Sequence, residues 1–170
     1  DILYGFRNNA LGTACDIYKS SATGWVQVTL FNEIYFTAGA IAIPAEGATL
    51  TQGAVTATLK RVVLTTGTGT FTSGNAAGRF IITTPAGGTG NFVAGAATLT
   101  DGVTCNLTAV QTAITLAPSG RYEFENSNLS GASGTYRMYG ASGVHAGFEF
   151  DGTVYVPIYT GMVVDNPLHV

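Results

Sequence analysis

Lysine is almost missing from this 170-residue chain, which holds only Lys19 and Lys60. Charged residues of every kind make up 10% of it, against roughly 25% in an average soluble domain. Coiled coils and helical bundles draw on Glu and Lys in quantity, so both are excluded. Proline numbers five and the glycines follow no period of three, which excludes a collagen-like chain. No apolar run approaches the length of about 18 residues that a membrane-spanning helix needs. No basic segment followed by an apolar one opens the chain, so no signal peptide is read. The seven basic residues are scattered, Lys60-Arg61 being the only adjacent pair, and the net charge is −3. A binder driven by phosphate contacts needs a basic patch, so no sequence-specific nucleic-acid partner is expected. Cys15 and Cys105 lie far apart, and His145 and His169 do not pair with them at zinc-ligand spacing. No metal and no cofactor is expected. The two cysteines are compatible with a disulfide or with two buried free thiols, and free thiols are the expectation.

What is present is small and apolar. Apolar residues reach 46%, which excludes intrinsic disorder. Thr (25), Gly (23) and Ala (22) account for 70 of the 170 positions. The ordered-looking runs are rich in Thr, Val, Ile, Tyr and Phe, which favour a pleated surface. Gly, Asn, Asp and Ser break them at the spacing of an all-β sandwich or barrel. The predicted class is all-β, with antiparallel strands and three zones.

Residues 1–32 form the first zone, with strands over Ile2–Phe6, Cys15–Lys19 and Trp25–Leu30 and a turn from Ser20 to Gly24. In the third of these Trp25, Gln27 and Thr29 alternate with Val26, Val28 and Leu30, which predicts one apolar face. Residues 33–118 form a Thr/Gly/Ala-rich module, read as a small barrel or sandwich inserted into the chain. Its segments recur. Thr68–Ala76 and Thr89–Ala97 share T-G-x-F-x-x-G-x-A, and Phe36–Ala40 echoes Phe92–Ala96 as F-x-A-G-A. Ala48–Gly53 returns as Ala97–Gly102 in the form A-T-L-T-x-G. The recurrences are too irregular for a solenoid. They read as one device used repeatedly, an aromatic anchoring a strand end and a glycine turning the chain. Val55–Thr66, Arg79–Thr84 and Thr104–Leu116 are further predicted strands. Residues 119–170 form the last zone, with strands at Arg121–Glu125 and Gly134–Gly140, a hairpin at Asp151-Gly152, and the start of a strand at Asp165–Val170. The first and last zones look alike, each with a strand and then a hairpin, and read as blade-like segments completing one another.

Few residues offer chemistry. Glu123 with Glu125, and Glu149 with Asp151, are carboxylate pairs of the type that serve acid–base work. At i, i+2 opposite an aromatic strand face they read as solvent-facing, and Asp151 as a turn residue. His145 sits in a small-residue loop with no nucleophile elbow beside it. Gly67-Thr68-Gly69 and Gly87–Gly90 lack the lysine of a phosphate-binding loop and read as turns. No catalytic residue is assigned. The aromatic residues are the better candidates. Trp25, Tyr136, Tyr139, Tyr155 and Tyr159 are the candidate interface residues, joined by Tyr18, Phe148 and Phe150; about half of these aromatics are expected to be core, the others protein contacts or, alternatively, sugar-stacking rings.

Several runs resemble virion structural proteins of tailed bacteriophages. They are G-A-V-T-A-T-L-K-R-V-V-L from Gly53 and G-N-F-V-A-G-A-A-T-L from Gly90, then Tyr136–Gly140, Gly147–Ile158 and the stretch from Ile17 through Trp25. The nearest type is the tail hub or nozzle, a propeller-like subunit carrying an inserted β module. The resemblance implies a tail location, other virion proteins as partners, a homo-oligomeric ring and no catalytic residues. It also implies an excerpt of a longer chain. The Lys-poor surface suits the wall of a DNA channel. The alternative is a receptor- or glycan-binding module of a tail fibre or spike, working through the aromatics.

Overall fold

The computed structural model describes residues 2–65, 69–128 and 136–159. The strand expected at Asp165–Val170 and the turn at Gly67-Thr68 lie outside them. The described residues hold fourteen strands and no helix, and all named pairings are antiparallel. The chain divides into two compact units, Leu30–Ile114 and the combination of Asp1–Thr29 with Thr115–Val170.

The Leu30–Ile114 unit is a closed barrel. Its strands are β4 (Asn32–Ala40), β5 (Thr49–Gln52), β6 (Val55–Leu64), β7 (Ala76–Ile82), β8 (Gly95–Leu99) and β9 (Thr104–Leu107). They run in the order β4-β7-β6-β5-β8-β9, and β9 pairs back onto β4 to complete a ring of six strands. Closure removes the edges that an open sheet would leave unpaired. A two-residue strand, β10 (Thr112–Ala113), adds to β4 from outside the ring. The strand expected over Thr104–Leu116 is therefore two short ones, β9 and β10.

Alternation fills the interior. Ile34 and Phe36 on β4, Val55, Ala57 and Leu59 on β6, and Phe80 and Ile82 on β7 all point inward and are buried. Phe36 and Phe80 stack with centroids 4.1 Å apart. The repeated sequence device has a structural counterpart. Phe71 and Phe92 join the same core, while Gly74 and Gly95 take positive φ values of 70° and 137° just before or at the start of β7 and β8. Phe71 sits beside Gly39 at the C-terminal end of β4, and Phe92 lies by the C-terminal end of β5, where Gln52 bonds both the amide and the carbonyl of Val93. The antiparallel order puts these at opposite ends of the ring. The A-T-L-T-x-G copies pair with each other, Leu50 opposite Leu99 and Thr51 opposite Thr98. Each copy runs into a hairpin turned by a positive-φ glycine, Gly53 or Gly102.

The other unit holds two sheets. β1 (Tyr4–Asn8), β2 (Cys15–Ser21) and β3 (Gly24–Gln27) form one, in that order. β11 (Glu123–Ser127), β12 (Arg137–Ala141), β13 (Gly147–Phe150) and β14 (Tyr155–Ile158) form a sequential meander. Aromatic rings join them: Phe6 stacks on Tyr122 at 4.2 Å, and Tyr4 meets Phe150 edge-on at 5.2 Å. Two strand expectations are corrected here. β3 stops at Gln27 and is exposed throughout, Val26 included, because it is the outer strand of its sheet and only Val28 beyond it is buried. The Asp151-Gly152 turn is a loop from Asp151 to Val154 rather than a two-residue turn. Asp151 Oδ1 accepts the amides of Thr153 (2.8 Å) and Val154 (2.7 Å), which holds the wider loop closed.

Candidate functional site

The predicted interface residues separate into exposed and buried sets. Tyr155 is 1% exposed and stacks on Phe148 at 4.9 Å. Its strand β14 buries Tyr155 and Val156 together, so Tyr155 is a core residue of its unit and no surface anchor. Tyr139 is half-buried on β12 opposite Glu149 and donates its hydroxyl to Glu149 Oε2 at 3.4 Å. Arg137 Nε stands 3.6 Å from the other oxygen of the same carboxylate. Tyr159 is exposed just past β14.

Tyr136 is 65% exposed and borders a recess of about 250 Å³ with Tyr4, Asn126, Arg137 and Asp151. Tyr136 and Tyr139 belong to opposite faces of the meander, since β12 alternates between them. Trp25 is on β3, 57% exposed, with the Cζ3–Cη2 edge of its six-membered ring beside Gly5 of β1. The five do not form one exposed surface: Tyr155 is buried, with Tyr159 near enough to act on its phenol electrostatically, and Tyr136 and Tyr139 lie on opposite faces of the meander.

The carboxylates behave as structural or solvent groups. Glu123 and Glu125 are exposed, and Arg121 Nε lies 3.3 Å from Glu123. Glu149 is held by Arg137 and Tyr139, and Asp151 closes its loop.

Two features had no signal in the sequence. Tyr122 and His145, 23 positions apart, meet at 2.7 Å between Oη and Nε2. Nδ1 of His145 faces the Ala146 carbonyl at 2.8 Å. A carbonyl only accepts, so Nδ1 carries a proton, and in the neutral ring Nε2 then accepts from the Tyr122 hydroxyl. Burial, with the Cys15 thiol as neighbour, holds the Tyr122 phenol well above its ordinary range. The second feature is a loop at one end of the barrel. Residues 41–43 (Ile-Ala-Ile) follow β4, with Ile41 63% and Ile43 65% exposed. Ile41 has φ of 82°, a region that a β-branched residue rarely enters. Leu64, at the adjacent end of β6, is exposed too. The chain enters at Leu30 and leaves at Ile114 by the opposite end of the ring.

Both cysteines are buried free thiols, Cys105 in the barrel core and Cys15 in the other unit. Burial pushes the Cys105 thiol up to about 11. Among the described residues no three His, Cys, Asp or Glu side chains gather as a metal site, and no helix is long and apolar enough to cross a membrane. No protein-family model, curated protein or solved structure matches the chain.

Proposed function

We propose that this chain is a structural part of a bacteriophage tail, of the hub or nozzle type, and acts by packing against neighbouring virion proteins without catalysis. In the full-length protein its neighbours include copies of itself arranged as a ring. The observation that supports the reading is the loop that follows β4 at one end of the barrel. Ile41 and Ile43 expose apolar side chains there, and Ile41 does so from a strained positive-φ backbone. Covering such a loop removes apolar surface from water and recovers roughly 25 cal/mol per Å². The Lys-poor, low-charge composition supports the same use, because a free monomer is kept soluble by mixed surface charge.

The test is site-specific photo-cross-linking in assembled particles, with a photoreactive amino acid replacing Ile43 in the full-length protein. A discrete higher-mass adduct to a second virion protein or a second copy is expected. Efficient incorporation with no adduct would count against the loop as a packing surface.

A further inference from the structure

We infer that the outward face of the β1–β2–β3 sheet is a saccharide-binding platform on which Trp25 stacks against a sugar ring. Register assigns the face. Gly5 lies opposite Tyr18, Tyr18 opposite Gln27, Ser20 opposite Trp25, and Arg7 opposite Asp16. Partners across a ladder share a face, so Gly5, Arg7, Asp16, Tyr18, Trp25 and Gln27 all lie on one side. The other side carries Cys15 and Ile17, both buried, together with Phe6 on Tyr122.

Gly5 leaves room beside the Trp25 ring. The Trp25 ring leans across the sheet, with Cζ3 and Cη2 3.7 and 3.8 Å from where a Cβ on Gly5 would stand. The Cζ3–Cη2 edge of the indole thus reaches across the sheet to Gly5, and 57% of the side chain remains open to solvent. Along the sheet, Tyr18 offers a second ring with the Arg7 guanidinium 5.4 Å from its centroid.

The chemistry of the surroundings selects the ligand. A pyranose presents an apolar face of C–H groups and a rim of hydroxyls that donate and accept. An open indole fits the first. Gln27, which donates and accepts, Asp16, which accepts, and Arg7, which donates, fit the second. A protein hot spot would instead set the ring in a dry apolar surround. Stacked nucleobases would bring phosphates, and here the single Arg is balanced by Asp16. From the Trp25–Ser20 pair to the Arg7–Asp16 pair is four residues, about 13 Å along the strands. That span suits an oligosaccharide of neutral sugars rather than a single ring. The inference stands apart from the barrel loop and does not depend on it.

Trp25 is the only tryptophan in the chain, so its emission reports on this face alone. The experiment titrates the intact protein with maltoheptaose, cellohexaose, laminarihexaose and chitotetraose while following tryptophan fluorescence. A saturable shift with at least one of them, at about millimolar affinity or tighter, is expected. The same sugar immobilised in native gels should retard the protein, and Trp25→Ala should abolish the retardation while Trp25→Phe keeps part of it. Gln27→Ala should weaken binding by about three- to tenfold, the worth of one hydrogen bond. Both sites are exposed, so circular dichroism is expected to be unchanged. No saturable shift with any of the four sugars to about 10 mM would overturn the inference, as would retardation that survives Trp25→Ala. Emission that changes with protein concentration alone would make the face a protein contact and overturn it equally.

Discussion

The residue that departs furthest from its intrinsic preference is Ile41. Its φ of 82° costs a β-branched side chain about 1–3 kcal/mol, and it lies in the loop proposed to meet a partner. Close to it, at the end of β4, Gly39 shows the reverse relation between residue and place. A Cβ there would stand 2.6 Å from Phe71 Cε1 and 2.9 Å from Phe36 Cε2, so the ring that closes this end of the barrel has room only above glycine. Gly39→Ala is expected to cost about 1–3 kcal/mol, seen as a lower urea midpoint at unchanged slope. An unchanged midpoint would mean that Phe71 is not seated there. Phe71 and Phe92 were legible as anchors because the same motif carries both. Ile41 was not, since nothing local in an alternating Ala-Ile-Ala-Ile run signals a positive φ. Tyr155 falls in the core half of the aromatics: its alternation fits an exposed or a buried face equally, and only its packing on the Phe148 ring decides between them. The Tyr122–His145 contact spans 23 positions, and no spacing rule reaches that far.

Strands were readable where alternation is strong, and their partners were not. β6 and β7 follow from their own residues. The β9–β4 pairing that closes the barrel joins segments about 70 positions apart, and pairing of that kind depends on the whole ring rather than on either sequence. The exception is the seam between β5 and β8, where a repeated hexapeptide pairs with its own copy. Leu50 and Leu99 face each other there, both buried. Each replaced alone by Ala should cost about 2–5 kcal/mol in unfolding free energy. The double variant should cost less than the sum, because the two side chains line one space. Strict additivity would place them in separate environments and break the seam. The Asp151 loop teaches a smaller lesson. Asp-Gly marks a turn, but the Asp side chain chose the loop length by accepting two amides at once.

At the scale of the whole molecule, burial acts on phenols and a thiol, groups that titrate in the alkaline range. Burial raises the Tyr122 and Tyr155 phenols above their ordinary value of 10 and the Cys105 thiol from 9 to about 11. Above those ordinary values the unfolded chain gives up protons that the folded chain keeps. Stability from these groups is therefore full below about pH 9 and falls as pH rises beyond it. Urea midpoints measured from pH 8 to pH 11 should decline steadily above pH 9, with tyrosinate absorbance rising as the chain unfolds; a flat profile would mean these groups are open to water. The proposal that the chain is covered in use rests on its small, apolar, Lys-poor composition and on the exposed isoleucines of the loop after β4. The proposed tail role is tested most directly by immunogold electron microscopy of intact particles from the source of the protein, with an antibody raised on this chain. Label on the tail axis is the predicted result. Label confined to the capsid, or none on particles whose protein content includes the chain in denaturing gels, would contradict a tail hub or nozzle role.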